Sequence, residues 1–171
     1  MTLGIIIIVL VLLVLLPTAY ASLIGAPFVP ASPSLVEKIV DAADVKEGDV
    51  IYELGAGNGQ VMIAFAKRKG VKVLGFELSP VLYLVAWLNL KLKRLRNCHL
   101  YLKNFYSYPL AKADVVYFFL VPRTVNKLAV KLVSELKPGS RVISYAFPID
   151  GWEPSRVIKE NGKSGIFVYT V

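Results

Sequence analysis

The chain has 171 residues, 20 of them basic and 12 acidic, for a formal charge of +8. That length suits one domain with its own core, and one cysteine (Cys98) rules out an intrachain disulfide framework. With a single histidine, His99, no Cys/His metal cluster exists, and no metal is expected. Cys98 and His99 adjoin in a strand-like stretch, where neighbours point to opposite faces, which argues against a nucleophile pair.

The charge is unevenly placed. The first charged side chain is Glu37, so all of the +8 lies in residues 37–171. Before it runs "LGIIIIVLVLLVLL" (3–16), continuing through "PTAYASLI" to Ile24. As a helix this span is about 33 Å long, enough for a hydrocarbon core of about 30 Å. Ala19-Tyr20-Ala21 resembles a small-x-small cleavage site, but a basic n-region is missing, so an uncleaved anchor is favoured over a signal peptide. Lys38 and Lys46 give only a weak positive-inside bias. The expected organisation is a membrane anchor or signal sequence (1–24), a Pro-rich linker or lid (25–33) and a single globular domain (34–171).

Ser32 or Ser34 can cap a short helix whose apolar face is Leu35, Val36, Ile39 and Val40. "VIYEL" (50–54) reads as a strand ended by glycine, and 58–70 as a helix closing at Gly70. A second strand (71–77) leads to a helix from Pro80 to about Leu95, with proline in the first turn. Strands follow at 98–105 and 113–121, the latter apolar throughout and thus suited to the middle of a sheet. An amphipathic helix (124–139) carries Val125, Leu128, Leu132 and Leu136 on one stripe. A fifth strand (140–147) precedes a hairpin about Asn161-Gly162. The alternation predicts an α/β fold: a doubly wound, mostly parallel Rossmann-like sheet with a C-terminal antiparallel hairpin, preceded by one transmembrane helix.

The loop "YELGAGNGQ" (52–60) selects among ligands. A phosphate loop needs GxxxxGK[ST], which fails at Gln60, and the dinucleotide fingerprint would also need its third glycine at Gln60. The observed GxGxG with Glu53 ahead of it is the form found in S-adenosylmethionine (SAM) enzymes. Glu77, ending the second strand, is then placed to accept the two ribose hydroxyls.

The segments "PFVPASPSLVEKIV", "VIYELGAGNGQVMIAFAK", "VLGFELSP", "ELKPGSRVIS" and "FPIDGWEP" resemble the archaeal broad-specificity protein-lysine methyltransferases. They are also similar to the mitochondrial lysine methyltransferases acting on the adenine nucleotide translocase and on the c subunit of ATP synthase. The resemblance spans about residues 26–171. It implies a seven-strand class I methyltransferase fold. It assigns SAM to Glu53, Gly55, Gly57, Gly59 and Glu77, with Asn104 and Phe105 beside the adenine and residues 26–33 over the cofactor. Where the family has aspartates this chain has Glu53 and Asn58, and Ala146 stands where a charged residue is common.

The resemblance implies transfer of a methyl group to a neutral lysine amine. A lysine is almost fully protonated at neutral pH, and an apolar channel would lower its pKa. Candidate channel residues are Phe28, Tyr145 and Trp152, with Phe118, Phe119 and Phe147 also considered; the buried-strand position of Phe118 and Phe119 favours core packing. "WLNLKLKRLRN" (87–97) holds Lys91, Lys93, Arg94 and Arg96 without an acidic neighbour: a solvated face, or a contact for anionic lipid. Nucleic acid is not expected. The favoured function is a membrane-anchored, single-pass SAM-dependent protein-lysine methyltransferase with its domain in the cytoplasm. A methyltransferase for a lipid, quinone or other small molecule, and a non-catalytic SAM-binding scaffold, are the alternatives.

Overall fold

A computed structural model describes residues 2–24, 28–159 and 164–171. In chain order the elements are α1 (Thr2–Ile24), α2 (Pro33–Ala42), β1 (Val50–Leu54), α3 (Gln60–Ala66), β2 (Lys72–Glu77), α4 (Pro80–Lys93) and β3 (Cys98–Leu102). A short 3-10 turn (Phe105–Ser107) leads to β4 (Val115–Phe118), α5 (Pro122–Glu135), β5 (Arg141–Ala146), β6 (Arg156–Ile158) and β7 (Gly165–Thr170).

The seven strands form one sheet in the order β3-β2-β1-β4-β5-β7-β6. The first five are parallel, and β7 runs antiparallel between β5 and β6. The expected doubly wound sheet with an antiparallel end is therefore present. The turn about Asn161-Gly162 lies outside the described residues.

Strand residues alternate between two cores, as the two-residue period of a strand requires. Ile51, Val73, Val115 and Ile143 face α2 and α3, while Tyr52, Leu74, Val116 and Val142 face α5. The stripe Val125, Leu128, Leu132 and Leu136 is buried as its spacing foretells. Ser32 caps α2 by accepting from the Leu35 amide, and Ser79 caps α4 by accepting from the Leu82 amide, both just ahead of a proline.

Several elements are shorter than their sequence pattern. Helix α3 starts after Gly59, which holds a left-handed φ of 78°, and gives way at Lys67. Helix α4 stops where Arg94 turns left-handed at φ 53°. Helix α5 starts two residues early, on Pro122, and ends before Lys137, which proline at 138 bars from helical geometry. Strand β3 ends at Leu102 because the chain bends into the 3-10 turn capped by Asn104.

Arg141 ties the far end of the sheet to the helical layer. Its Nη2 donates to Asp49 Oδ2 at 2.5 Å, and its Nη1 donates to the carbonyls of Ala43 and Asp44 beyond α2. Asp114 accepts from the Val50 amide at 2.8 Å and pairs with Lys137, which holds its carboxyl below the usual range even against partial burial.

Helix α1 is uncharged, and its apolar side chains from Leu3 to Leu13 are exposed. Among the described residues it is the one helix long and apolar enough to cross a membrane. It lies beside the start of α4, where Thr18 Oγ1 is 3.3 Å from Ser79 Oγ.

Truncating the buried stripe tests the α5 core. Leu128→Ala should lower unfolding free energy by about 2–5 kcal/mol, read from urea denaturation with an unchanged m-value.

Candidate active site

The carboxyl ends of β1, β2, β4 and β5 surround a cleft of about 300 Å³. It sits where the chain leaves β1 toward neighbours on both sides, the position at which open α/β sheets bind ligands. The glycine loop after β1 forms one wall. Gly55 and Gly57 have φ of 87° and 56°, which L side chains rarely adopt. A Cβ on Gly57 would stand 3.0 Å from the Phe28 ring, so the loop and the segment after α1 close on each other only because that residue is glycine.

Of the residues expected to bind cofactor, Glu53, Gly55, Gly57, Glu77, Asn104 and Phe105 all line the cleft. Gly59 does not. It serves as the N-cap of α3, and a Cβ there would press on Ala86 of α4 at 3.2 Å, so its glycine is required by backbone and helix packing.

Glu77 is almost wholly buried at the end of β2. Its Oε2 accepts from the Gly57 amide at 2.8 Å, and its Oε1 accepts from the amides of Leu78 at 2.9 Å and Ser79 at 2.8 Å. Burial pushes its pKa up, and these three amides pull it partly back. A carboxylate offers about four acceptor positions, so one remains. Glu77 thus has room for one further hydroxyl, where the sequence suggested two.

Glu53 is the sharper feature. It is 3% exposed, and its Oε2 is a buried atom without a hydrogen-bond partner among the described residues. Burial raises its pKa well above the ordinary value, the Glu77 charge raises it further, and only the Met62 amide opposes. An unpaired buried carboxyl group is expensive, and this one faces the cleft.

Much of the cleft is apolar. Phe28, Leu35, Phe119, Leu120 and Tyr145 line it, and the Phe119 and Tyr145 rings meet edge-on with centroids 4.9 Å apart. Phe118 is buried in the core facing α5, as a central strand residue should be, while the next residue, Phe119, turns into the cleft. Phe147 is not among the lining residues. Ala146, beside Tyr145, holds a left-handed φ of 72°, a strained geometry where β5 bends away from the cleft. Trp152 departs from expectation. It packs edge-on against Tyr169 at 5.7 Å in the core facing α5, on the other side of the sheet from Tyr145.

Tyr117 was not singled out from sequence. It pairs in register with Glu53, so both side chains point to one face, and it lines the same cleft. Burial, then the Glu53 charge, then Tyr145 push its phenol well above the usual range. The signal was available: a β1–β4 adjacency, implied by the doubly wound order, sets Tyr117 beside Glu53.

The sheet order, the glycine loop and the two acidic side chains define a class I SAM-dependent methyltransferase. The ANTKMT methyltransferase domain matches residues 53–156, and the chain belongs to that family. It is 36% identical over 146 residues to a protein-lysine N-methyltransferase of Saccharolobus islandicus (strain REY15A), covering 84% of this chain and 91% of that protein. It is 31% identical over 150 residues to the adenine nucleotide translocase lysine N-methyltransferase of Mus musculus, 85% of this chain but 63% of that longer protein. Among solved structures, an RNA methyltransferase from Salinibacter ruber in complex with S-adenosyl-L-homocysteine superposes with a TM-score of 0.79 at 30% identity, covering 83% of this chain and 93% of that one.

Two measurements examine the acidic pair. Glu77→Ala should weaken SAM binding by about 1–3 kcal/mol in calorimetric titration, and unchanged affinity would remove Glu77 from the site. For Glu53 the sign follows from its raised pKa. A carboxyl that holds its proton more tightly when folded stabilises the fold below the unfolded pKa, and that stability is lost as pH rises through the folded value. Without ligand, Glu53→Gln should therefore melt higher than the parent at about pH 8, with the gap closing toward about pH 4.

Proposed function

We propose that the protein is a membrane-anchored SAM-dependent methyltransferase that modifies lysine side chains of proteins at or near the membrane. The observation that carries the substrate class is kinship with a protein-lysine N-methyltransferase, 36% identical over 91% of that protein's length. The cleft is compatible with it: Phe28, Phe119 and Tyr145 line it, and no lysine, arginine or histidine does so among the described residues. The names of the relatives, protein-lysine and adenine nucleotide translocase lysine methyltransferases, support the same reading.

The residues present fit SAM. Glu53 would accept from the ammonium of its amino-acid part, Glu77 from a ribose hydroxyl, and Phe105 with Asn104 would flank the adenine. When bound, SAM supplies a methyl group on a sulfonium that is already a good leaving group. What the chain adds is position and dryness. Phe28, Phe119 and Tyr145 form an apolar passage that desolvates an incoming ammonium and so favours its loss of a proton to water. Their rings fix the direction of approach, and orientation of this kind supplies much of a transfer rate. Asn104 is held in place because its Oδ1 accepts from the Tyr106 amide at 3.0 Å. Trp152 has no place in this passage.

Exposed apolar helix α1 supports the anchor, and dependence on SAM supports a cytoplasmic domain. The reading is tested by incubating the purified full chain with methyl-labelled SAM and membrane extract, then hydrolysing the products. Label in methyl-lysine is expected; label confined to lipid or RNA would overturn the substrate class, and SAM binding with no transfer to any fraction would favour a scaffold. Tyr145→Ala should lower turnover by about tenfold or more with little change in SAM affinity, since it shapes the passage and not the cofactor wall.

A further inference from the structure

Helix α4 is built the wrong way round for a helix on a water-facing surface. Val81, Leu84, Val85, Leu88 and Leu92 recur at three- and four-residue spacing and fall within about 100° of arc. All five are exposed, with Leu84 at 55%, Leu88 at 47% and Leu92 at 78%. Buried Ala86 and Leu90 lie on the opposite side, against the sheet layer. Ala86 and Leu90 are the helix's buried residues, and the outward stripe is the more hydrophobic face.

Charge surrounds that stripe. Between Leu78 and Ala113 there is no Asp or Glu, but there are Lys91, Lys93, Arg94, Arg96, Lys103 and Lys112. All six are exposed, and among the described residues none makes an ion pair. Lys91 lies 5.6 Å over the ring of Trp87, which flanks the stripe. An apolar face edged by cations and an aromatic ring has the composition of a helix lying in a membrane interface. Its start is also where α1 attaches, through Thr18 and Ser79.

We infer that the outward face of α4 lies in the headgroup region of an anionic bilayer, its leucines and valines toward the acyl chains and its lysines and arginines at the phosphates. This rests on the reading of α1 as an anchor and extends it to a second, independent contact. A second copy of the chain fits the face poorly, since a two-fold contact would oppose like charges. An RNA strand would use the cations but not the leucines, which offer no base-stacking surface. Leu78, Ser79 and Leu82, at the start of the same helix, line the cleft.

Trp87 reports on this face, because the chain has only two tryptophans. Trp152→Phe leaves it alone, and circular dichroism of each variant verifies folding. The full chain is reconstituted into vesicles of phosphatidylcholine and phosphatidylglycerol carrying brominated acyl chains, which quench tryptophan on contact. Loss of Trp87 fluorescence is expected, and Leu84→Glu/Leu88→Glu should restore it while α1 still holds the protein to the vesicles against carbonate. Arg94→Gln/Arg96→Gln should reduce the dependence on phosphatidylglycerol. Carbonate-resistant flotation without quenching would overturn the α4 contact and leave the anchor intact. Quenching that is reversed by the double glutamate variant but accompanies carbonate-sensitive binding would support α4 and overturn the anchor. Relief of quenching by added polyuridylate would assign the face to nucleic acid and overturn the proposal.

Discussion

A carboxylate with a buried, unpartnered oxygen stands at the centre of the sheet, and much of the architecture is arranged around it. Glu53 is the penultimate residue of β1, the strand between β2 and β4. Among the described residues no cation reaches it, and the Met62 amide offsets only part of the effect of its burial. A fold maximising its own stability would replace it with an apolar residue. Keeping it preserves a cavity with an unmet need for a donor, and the glycines, Glu77 and Phe28 define the shape of what can supply one. The site is thus less stable than its surroundings by construction, as sites bearing function commonly are.

Much of this was legible in the chain. The strand and helix order follows from periodicity, and the GxGxG loop with Glu77 located the cleft. What sequence could not supply is direction. Phe118 and Phe119 are adjacent and chemically identical, yet one fills the core and the other faces the cleft, because consecutive strand residues point oppositely. Tyr145 and Trp152 looked equivalent as aromatics near the end of β5. The chain bends at Ala146, and Trp152 comes to rest on Tyr169 across the sheet. Gly59 read as a cofactor glycine because its spacing fits the motif, whereas its contact with Ala86 depends on where α4 packs. Boundaries failed where a single backbone turn, such as that at Arg94, overrides a continuing apolar pattern.

The molecule also separates its charges. The cleft holds carboxylates and aromatics, while the six cations of residues 78–113 are outside it. A purely basic protein of this size would be expected to seek polyanions everywhere on its surface. Here the basic surface and the acidic cleft are distinct, so the overall +8 says little about what enters the cleft. Helix α4 joins the two: its first turn contributes to the cleft, and its remaining turns carry the exposed stripe.

The short connection between α1 and α2 has a geometric consequence. Helix α1 ends at Ile24 and α2 begins at Pro33, so residues 25–32 join them. Phe28 to Ala31 already line the cleft, so its wall begins four residues after α1 ends. Under the proposed anchoring of α1, that closeness would act as a ruler. The cleft would then reach only the water next to the lipid, and a lysine deep in a large soluble domain would be out of range however well its local sequence suits the site. Selectivity would then come from height above the membrane as much as from side-chain recognition, and a broadly accepting cleft would still modify few proteins.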